Sequence, residues 1–171
     1  MTIRALVILS VAQLLLCENS FSQERKFKDW WVGLLNGDIG VFAGTTNDSN
    51  GVFGQFCLKE ANNCYWLMTT DLDCTEGSKY PVLVNSDAGA SNQELYCLKV
   101  EGKPRYAFSN FDAINETVAT SKRISIALPI GNSQFQVSRF SLSGSNDAIE
   151  VMLKVAKAMA KQTKSTKDQR M

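Results

Sequence analysis

Four cysteines, Cys57, Cys64, Cys74 and Cys97, sit in the middle of a 171-residue chain, and a fifth, Cys17, lies near its start. Thiols can bind metal, carry electrons or cross-link, and their spacing separates these roles. None of the five stands in the C-x-x-C arrangement that builds zinc sites or lowers a redox thiol's pKa. The sequence contains no histidine at all. That excludes Ser-His-Asp and Cys-His catalysis, which need an imidazole to move protons near neutral pH, and it excludes histidine ligation of metal. The reading is two disulfides, with no metal and no cofactor expected. Four cysteines permit three pairings. Cys57–Cys64 with Cys74–Cys97 is favoured, because each bond then ties a hairpin-like or omega-like excursion to its own base.

Carboxylates are the other groups with chemical reach. Asp71, Asp73, Glu76 and Asp87 form the densest local set. Two carboxyls facing each other across a cleft can hydrolyse a glycosidic bond, one as acid and the other as base or nucleophile. Asp71 and Asp73 would share a face if that stretch were a strand. Asp71-Leu-Asp73-Cys-Thr-Glu76-Gly77 does not follow the ligand ladder of an EF-hand. A solvated loop beside a disulfide accounts for the same residues more simply. Trp66, with Trp30, Trp31 and Tyr65, offers rings on which a sugar could stack. Strand alternation puts each adjacent aromatic pair on opposite faces, which favours core and rim packing. The small, polar run Ser86 to Asn92 reads as a loop able to touch a ligand. Asp71, Asp73, Asp87 and Trp66 are therefore the candidate binding residues, and no residue is assigned a catalytic role.

These side chains need a scaffold, and short strands supply it. Asn36-Gly37 and Glu101-Gly-Lys-Pro104 mark hairpin turns between apolar runs, and Asn47 to Gly51 marks another turn. Gly54 inside a strand pattern points to a bulge or a close backbone approach. Asp112 to Ala119 reads as a short helix capped by Asp112, with Ile114 and Val118 on one face. Phe135 and Val137 are out of step with Phe140 and Leu142, which predicts a bulge near Ser138-Arg139. Asp147 and Glu150 have capping-box spacing ahead of a closing helix. Its apolar stripe runs through Ile149, Met152, Leu153, Ala156 and Met159. The fold class is mainly β, an antiparallel sandwich or open barrel, with a helix near 112–119 and a C-terminal amphipathic helix.

The first 22 residues read as a signal peptide: Arg4, an apolar core from Ala5 to Leu16, and Ser20-x-Ser22 before a mature start at Gln23. Cys17 allows a second reading as a lipid-bearing residue. Leu14 suits that pattern, while Leu16 is larger than the site accepts. Without Arg4 and Glu18 the chain holds 17 basic and 16 acidic residues, so nothing calls for a nucleic-acid partner. Six of the basic residues lie from Lys154 onward, against Asp168 alone. Residues 23–161 read as one domain and 162–171 as a flexible basic tail, with membrane contact a minor option.

The order of features also carries a resemblance. The exported leader, the Trp-led first strand, the four-cysteine middle, Ile124-Ser-Ile-Ala-Leu-Pro129 and Arg139-Phe-Ser-Leu-Ser-Gly-Ser-Asn-Asp-Ala-Ile149 resemble secreted proteins of Gram-negative bacteria. More distantly, they are similar to the invasion-associated locus B family. The resemblance implies a periplasmic or secreted β-rich domain that closes with a helix. The chain departs from that family in having no cysteine beside the Gly144 turn. The functional expectation is an exported, non-enzymatic protein that binds another protein or an envelope component. A carboxylate hydrolase of envelope carbohydrate and a lipoprotein tethered through Cys17 are the alternatives.

Overall fold

Runs in which every second residue is apolar become strands, and ten of them follow one another with short turns. They are β1 (Arg25–Phe27), β2 (Trp30–Leu34), β3 (Gly40–Thr46), β4 (Val52–Leu58) and β5 (Cys64–Met68), then β6 (Lys79–Ser86), β7 (Gly89–Val100), β8 (Lys103–Phe108), β9 (Arg123–Gly131) and β10 (Gln134–Ser141). Among the described residues, two helices join these ten strands, α1 (Phe111–Thr120) and α2 (Ser145–Asp168). The computed structural model describes residues 24–35, 39–59, 63–100, 102–131 and 133–168, with side chains through 162. The expected leader 1–22, the Cys17 site, the Gln23 start and the Asn36-Gly37 turn lie outside the described residues.

All pairings are antiparallel and form one sheet in the order β1-β2-β3-β4-β5-β8-β7-β6-β9-β10. The sheet curls until its ends approach. The Trp30 indole N–H on β2 donates to the Ser141 carbonyl on β10 at 2.8 Å. Ser141 Oγ donates to Asp29 Oδ2 at 2.6 Å. No ladder joins the two end strands, so the sheet is an open barrel, one of the two expected architectures.

Inside the curl, Phe53 is the hub. Its ring lies 5.3 to 6.2 Å from the rings of Trp66, Phe140, Phe108 and Trp30. Paired rings at such distances add about 0.5–1.5 kcal/mol beyond the area they bury. α2 lies against β1 to β4, and α1 against β5, β9 and α2. Met152 and Ala148 of α2 are fully buried, and Ile149, Leu153, Ala156 and Met159 pack on the same core, as the helical stripe requires.

Several local expectations change. Asn110, not Asp112, caps α1, accepting from the Ala113 N–H at 3.1 Å. Asp112 sits in the first turn, where its charge favours the positive end of the helix dipole. α2 begins at Ser145, so Asp147 lies in its first turn rather than at a cap, and Glu150 pairs with Lys154 instead. The helix continues through residues 162–168, which the sequence reading gives to the tail.

No bulge occurs near Ser138-Arg139; the only register shift in that pair falls at Gln134/Phe135. The strand alternates evenly, with Ser138 and Phe140 inside and Phe135 and Val137 exposed. Apolarity alone misassigned the face, because a small hydroxyl fills the inner position. Gly54 is a close approach and not a bulge. A Cβ there would meet the Ala43 carbonyl at 2.3 Å. At Gly144, φ +91°, a Cβ would lie 2.0 Å from the Phe27 carbonyl oxygen, so only glycine fits.

Candidate functional site

In an antiparallel sheet with one wet face, strands alternate apolar and polar residues. β3, β4 and β5 do not. Their inner residues Val41, Ala43, Phe53, Cys57, Trp66 and Met68 are buried in the core. Their outer residues are apolar as well. Phe42, Phe56 and Tyr65 stand directly opposite one another across β3, β4 and β5. Phe42 and Phe56 stack at 5.6 Å, and Trp31 meets Phe42 edge-on at 5.9 Å.

Leu67, Tyr96 and Leu98 continue this surface onto β5 and β7, while Ile39, Leu58 and Val100 form its exposed margin. The result is a groove of about 600 Å³ on the outside of the sheet. Among the described residues, Glu24 and Arg105 are its only charged lining side chains. Arg105 donates to the neighbouring Pro104 carbonyl at 3.0 Å and forms no ion pair among the described residues. Burial raises the Tyr96 phenol above its ordinary value of 10.0, with the nearby Tyr65 adding to the effect.

A second cavity, of about 520 Å³, is polar. It lies where the ends of β6, β9 and β10 face the turn between β3 and β4, and Asp87, Arg123, Arg139 and Ser141 are among its lining residues. Several of its polar groups are already engaged. Asp87 accepts from the backbone N–H groups of Lys122 and Arg123, at 2.7 and 3.1 Å, and from the Arg123 guanidinium at 3.3 Å. The Lys122 N–H is the main cause of a carboxyl held below its ordinary 3.8. Asn47 Oδ1 accepts from Ser49 and Gly51, which builds its own turn.

The candidate carboxylates do not converge. Asp71 accepts from the Gln136 amide on β10. Asp73 pairs with Lys99 on β7, three places away in the sheet. Both lie in the connection after β5, not in a strand, so they share no face. Asp87 sits in the turn at the far end of β6, about 26 Å from the end next to Asp73 at the usual rise per residue. The Lys99 ammonium, first, and the Cys74 N–H hold the Asp73 carboxyl below 3.8. A general acid needs the opposite shift.

Trp66 is fully buried between Phe53 and Phe111, so it offers no stacking surface. The supposed loop from Ser86 to Asn92 is mostly strand. Ser86 pairs with Gly89, leaving only Asp87-Ala88 as a turn. The groove itself went unread, although the missing polar alternation in Gly40–Thr46, Val52–Leu58 and Cys64–Met68 was the signal.

Both disulfides form in the favoured pairing. Cys57 and Cys64 face each other across β4 and β5, with Cα atoms 4.0 Å apart. Cys74 and Cys97 join the connection after β5 to β7 at 6.0 Å. Two disulfides are the mark of a chain that matures in an oxidising compartment outside the cytoplasm. Among the described residues, no three His, Cys, Asp or Glu side chains gather to hold a metal, and no helix is long and apolar enough to cross a membrane.

No family model matches the sequence, and no curated protein does. The fold, however, is similar to a solved structure. The crystal structure of invasion associated protein B from Bartonella henselae superposes with a TM-score of 0.57 at 14% identity, covering 80% of this chain and 99% of that one. At that identity the likeness is one of fold alone.

Proposed function

We propose that this is an exported protein, periplasmic or secreted, that acts without catalysis by holding an apolar segment of another envelope or secreted protein. The observation that carries this is the outer groove. An aromatic row faces solvent on strands whose inner face is already core. Contiguous exposed apolar surface of this kind marks interaction sites. The disulfides and the leader-like amino terminus support the compartment, and the dispersal of the carboxylates favours binding over hydrolysis.

The test is a photo-cross-linking residue placed at Leu67 in the groove and, separately, at Asn92 on exposed β7, in the exporting cell. One defined adduct should form from Leu67 and not from Asn92, and Phe56→Asp should reduce it by about tenfold or more, the loss of a central aromatic contact. Equal labelling from both positions, or an adduct indifferent to Phe56→Asp, would remove the groove from the function.

A further inference from the structure

The two edges of the sheet are built differently. β1 is only three residues long, Arg25-Lys-Phe27, and its charges blunt the edge. β10 is eight residues long, Gln134 to Ser141, carries Arg139 as its one charge, and contains no proline. Short, charged edges resist pairing with another chain, whereas long, weakly charged ones invite it.

The direction of the free backbone groups on β10 follows from two observations. Phe135 stands opposite Pro129, which has no N–H to exchange, so this pair is of the non-hydrogen-bonded kind. By alternation, Phe135, Val137, Arg139 and Ser141 all aim their N–H and C=O groups away from β9. Independently, the Ser141 carbonyl accepts from Trp30 across the seam, which places it on that same outward edge. Beyond Ser141, no hydrogen bond from the outward groups of Phe135, Val137 or Arg139 reaches any described residue. Their side chains share the outer face, with Phe135 59% and Val137 41% exposed.

We infer that β10 pairs antiparallel with β10 of a second copy, about a two-fold axis at Val137. This register is self-complementary. Val137 meets Val137 of the second copy, and the outward backbone groups of all three residues face their own kind, so each pair exchanges two hydrogen bonds. Phe135 meets Arg139 of the second copy, a guanidinium over a ring, as Arg25 already lies over Phe27 at 5.6 Å in this chain. On the inner side Gln136 meets Ser138 of the second copy, so two uncharged side chains oppose one another there. No like charges oppose one another. The inference stands on the edge strand and is independent of the groove.

The mature chain should double its mass as concentration rises in sedimentation equilibrium. Val137→Cys should react with a short bismaleimide about tenfold faster than Leu83→Cys, because paired thiols sit at high effective concentration. Leu83 lies on the same outer face two strands inward, so its copies would stand about 24 Å apart by strand spacing. Val137→Pro, which removes an outward N–H at an edge position that tolerates proline, should return the monomer. Phe135→Lys should do the same without touching the backbone. A monomeric mass at every concentration, with both cysteine variants cross-linking at one rate, overturns the inference. So does a dimer that survives both Val137→Pro and Phe135→Lys.

Discussion

The two cavities are of similar volume and opposite character. The polar cleft holds charged and hydroxyl groups of which several are already engaged: Asp87 takes three hydrogen bonds, Ser141 bridges Asp29 and Ser143, and Asn47 folds its own turn. Such groups hold the ends of β6, β9 and β10 in place, and a ligand there would have to displace bonds already made. In the outer groove, by contrast, Phe42, Phe56, Tyr65 and Leu67 keep apolar area in contact with water that no other part of the described chain removes. Free energy for binding resides where surface is left unsatisfied, not where a hollow is lined with chemistry. Burying apolar area releases about 25 cal/mol per Å².

Two phenylalanines on β4 put this contrast to the strongest test. Phe53→Ala empties the centre of the ring cluster and should cost about 3–5 kcal/mol in urea unfolding. Phe56→Ala should cost under about 1.5 kcal/mol, since its ring is partly exposed before truncation. Equal costs would mean that the outer row is core, and the distinction between groove and scaffold would fail.

The disulfides come next. On the chain-entropy account, replacing Cys74 and Cys97 with alanine should cost about 3.4 kcal/mol, and replacing Cys57 and Cys64 about 2.5 kcal/mol. Only the second pair clasps the hairpin that bears Phe56 and Tyr65. Its removal should therefore weaken partner cross-linking beyond the loss of stability, whereas the first should lower stability with the groove contact kept. Circular-dichroism melts beside the Leu67 cross-linking assay separate the two.

The smallest effect belongs to the cleft. Asp87 has a lower carboxyl pKa folded than unfolded, so its contribution is complete above the ordinary value of 3.8 and disappears as pH falls through the folded value. Asp87→Asn should lower the melting temperature at pH 6 by a few degrees at most and leave the groove's adduct unchanged. The gap between variant and parent should close as pH falls below the ordinary 3.8 and through the lower folded value. A gap that widens toward acid would reverse the assigned role.

Much of this architecture was legible because it is written in local chemistry. Turn residues located the hairpins, the 3.6-residue stripe located α2, and cysteine spacing favoured the pairing that forms. What failed depended on neighbours that are distant in sequence. Ser138 is 6% exposed because its position on β10 faces the core, so alternation turns the apolar Phe135 and Val137 outward, and an intra-strand pattern takes this for a slip. Asp71 and Asp73 look paired in sequence but are drawn to β10 and β7. The groove needed three strands laid side by side before Phe42, Phe56 and Tyr65 became one surface. Alternation along each strand, examined for what is missing, would have exposed it.

The chain has three tryptophans, and the sheet sorts them. Trp30 and Trp66 lie at zero exposure within the ring cluster, while Trp31 points outward against Phe42 beside the groove. The protein thereby carries two optical channels. Emission from the buried pair follows the integrity of the core, and emission from the outer indole follows what covers Phe42. With Trp31→Phe as the blank, a difference spectrum would report occupancy of the groove without any attached label.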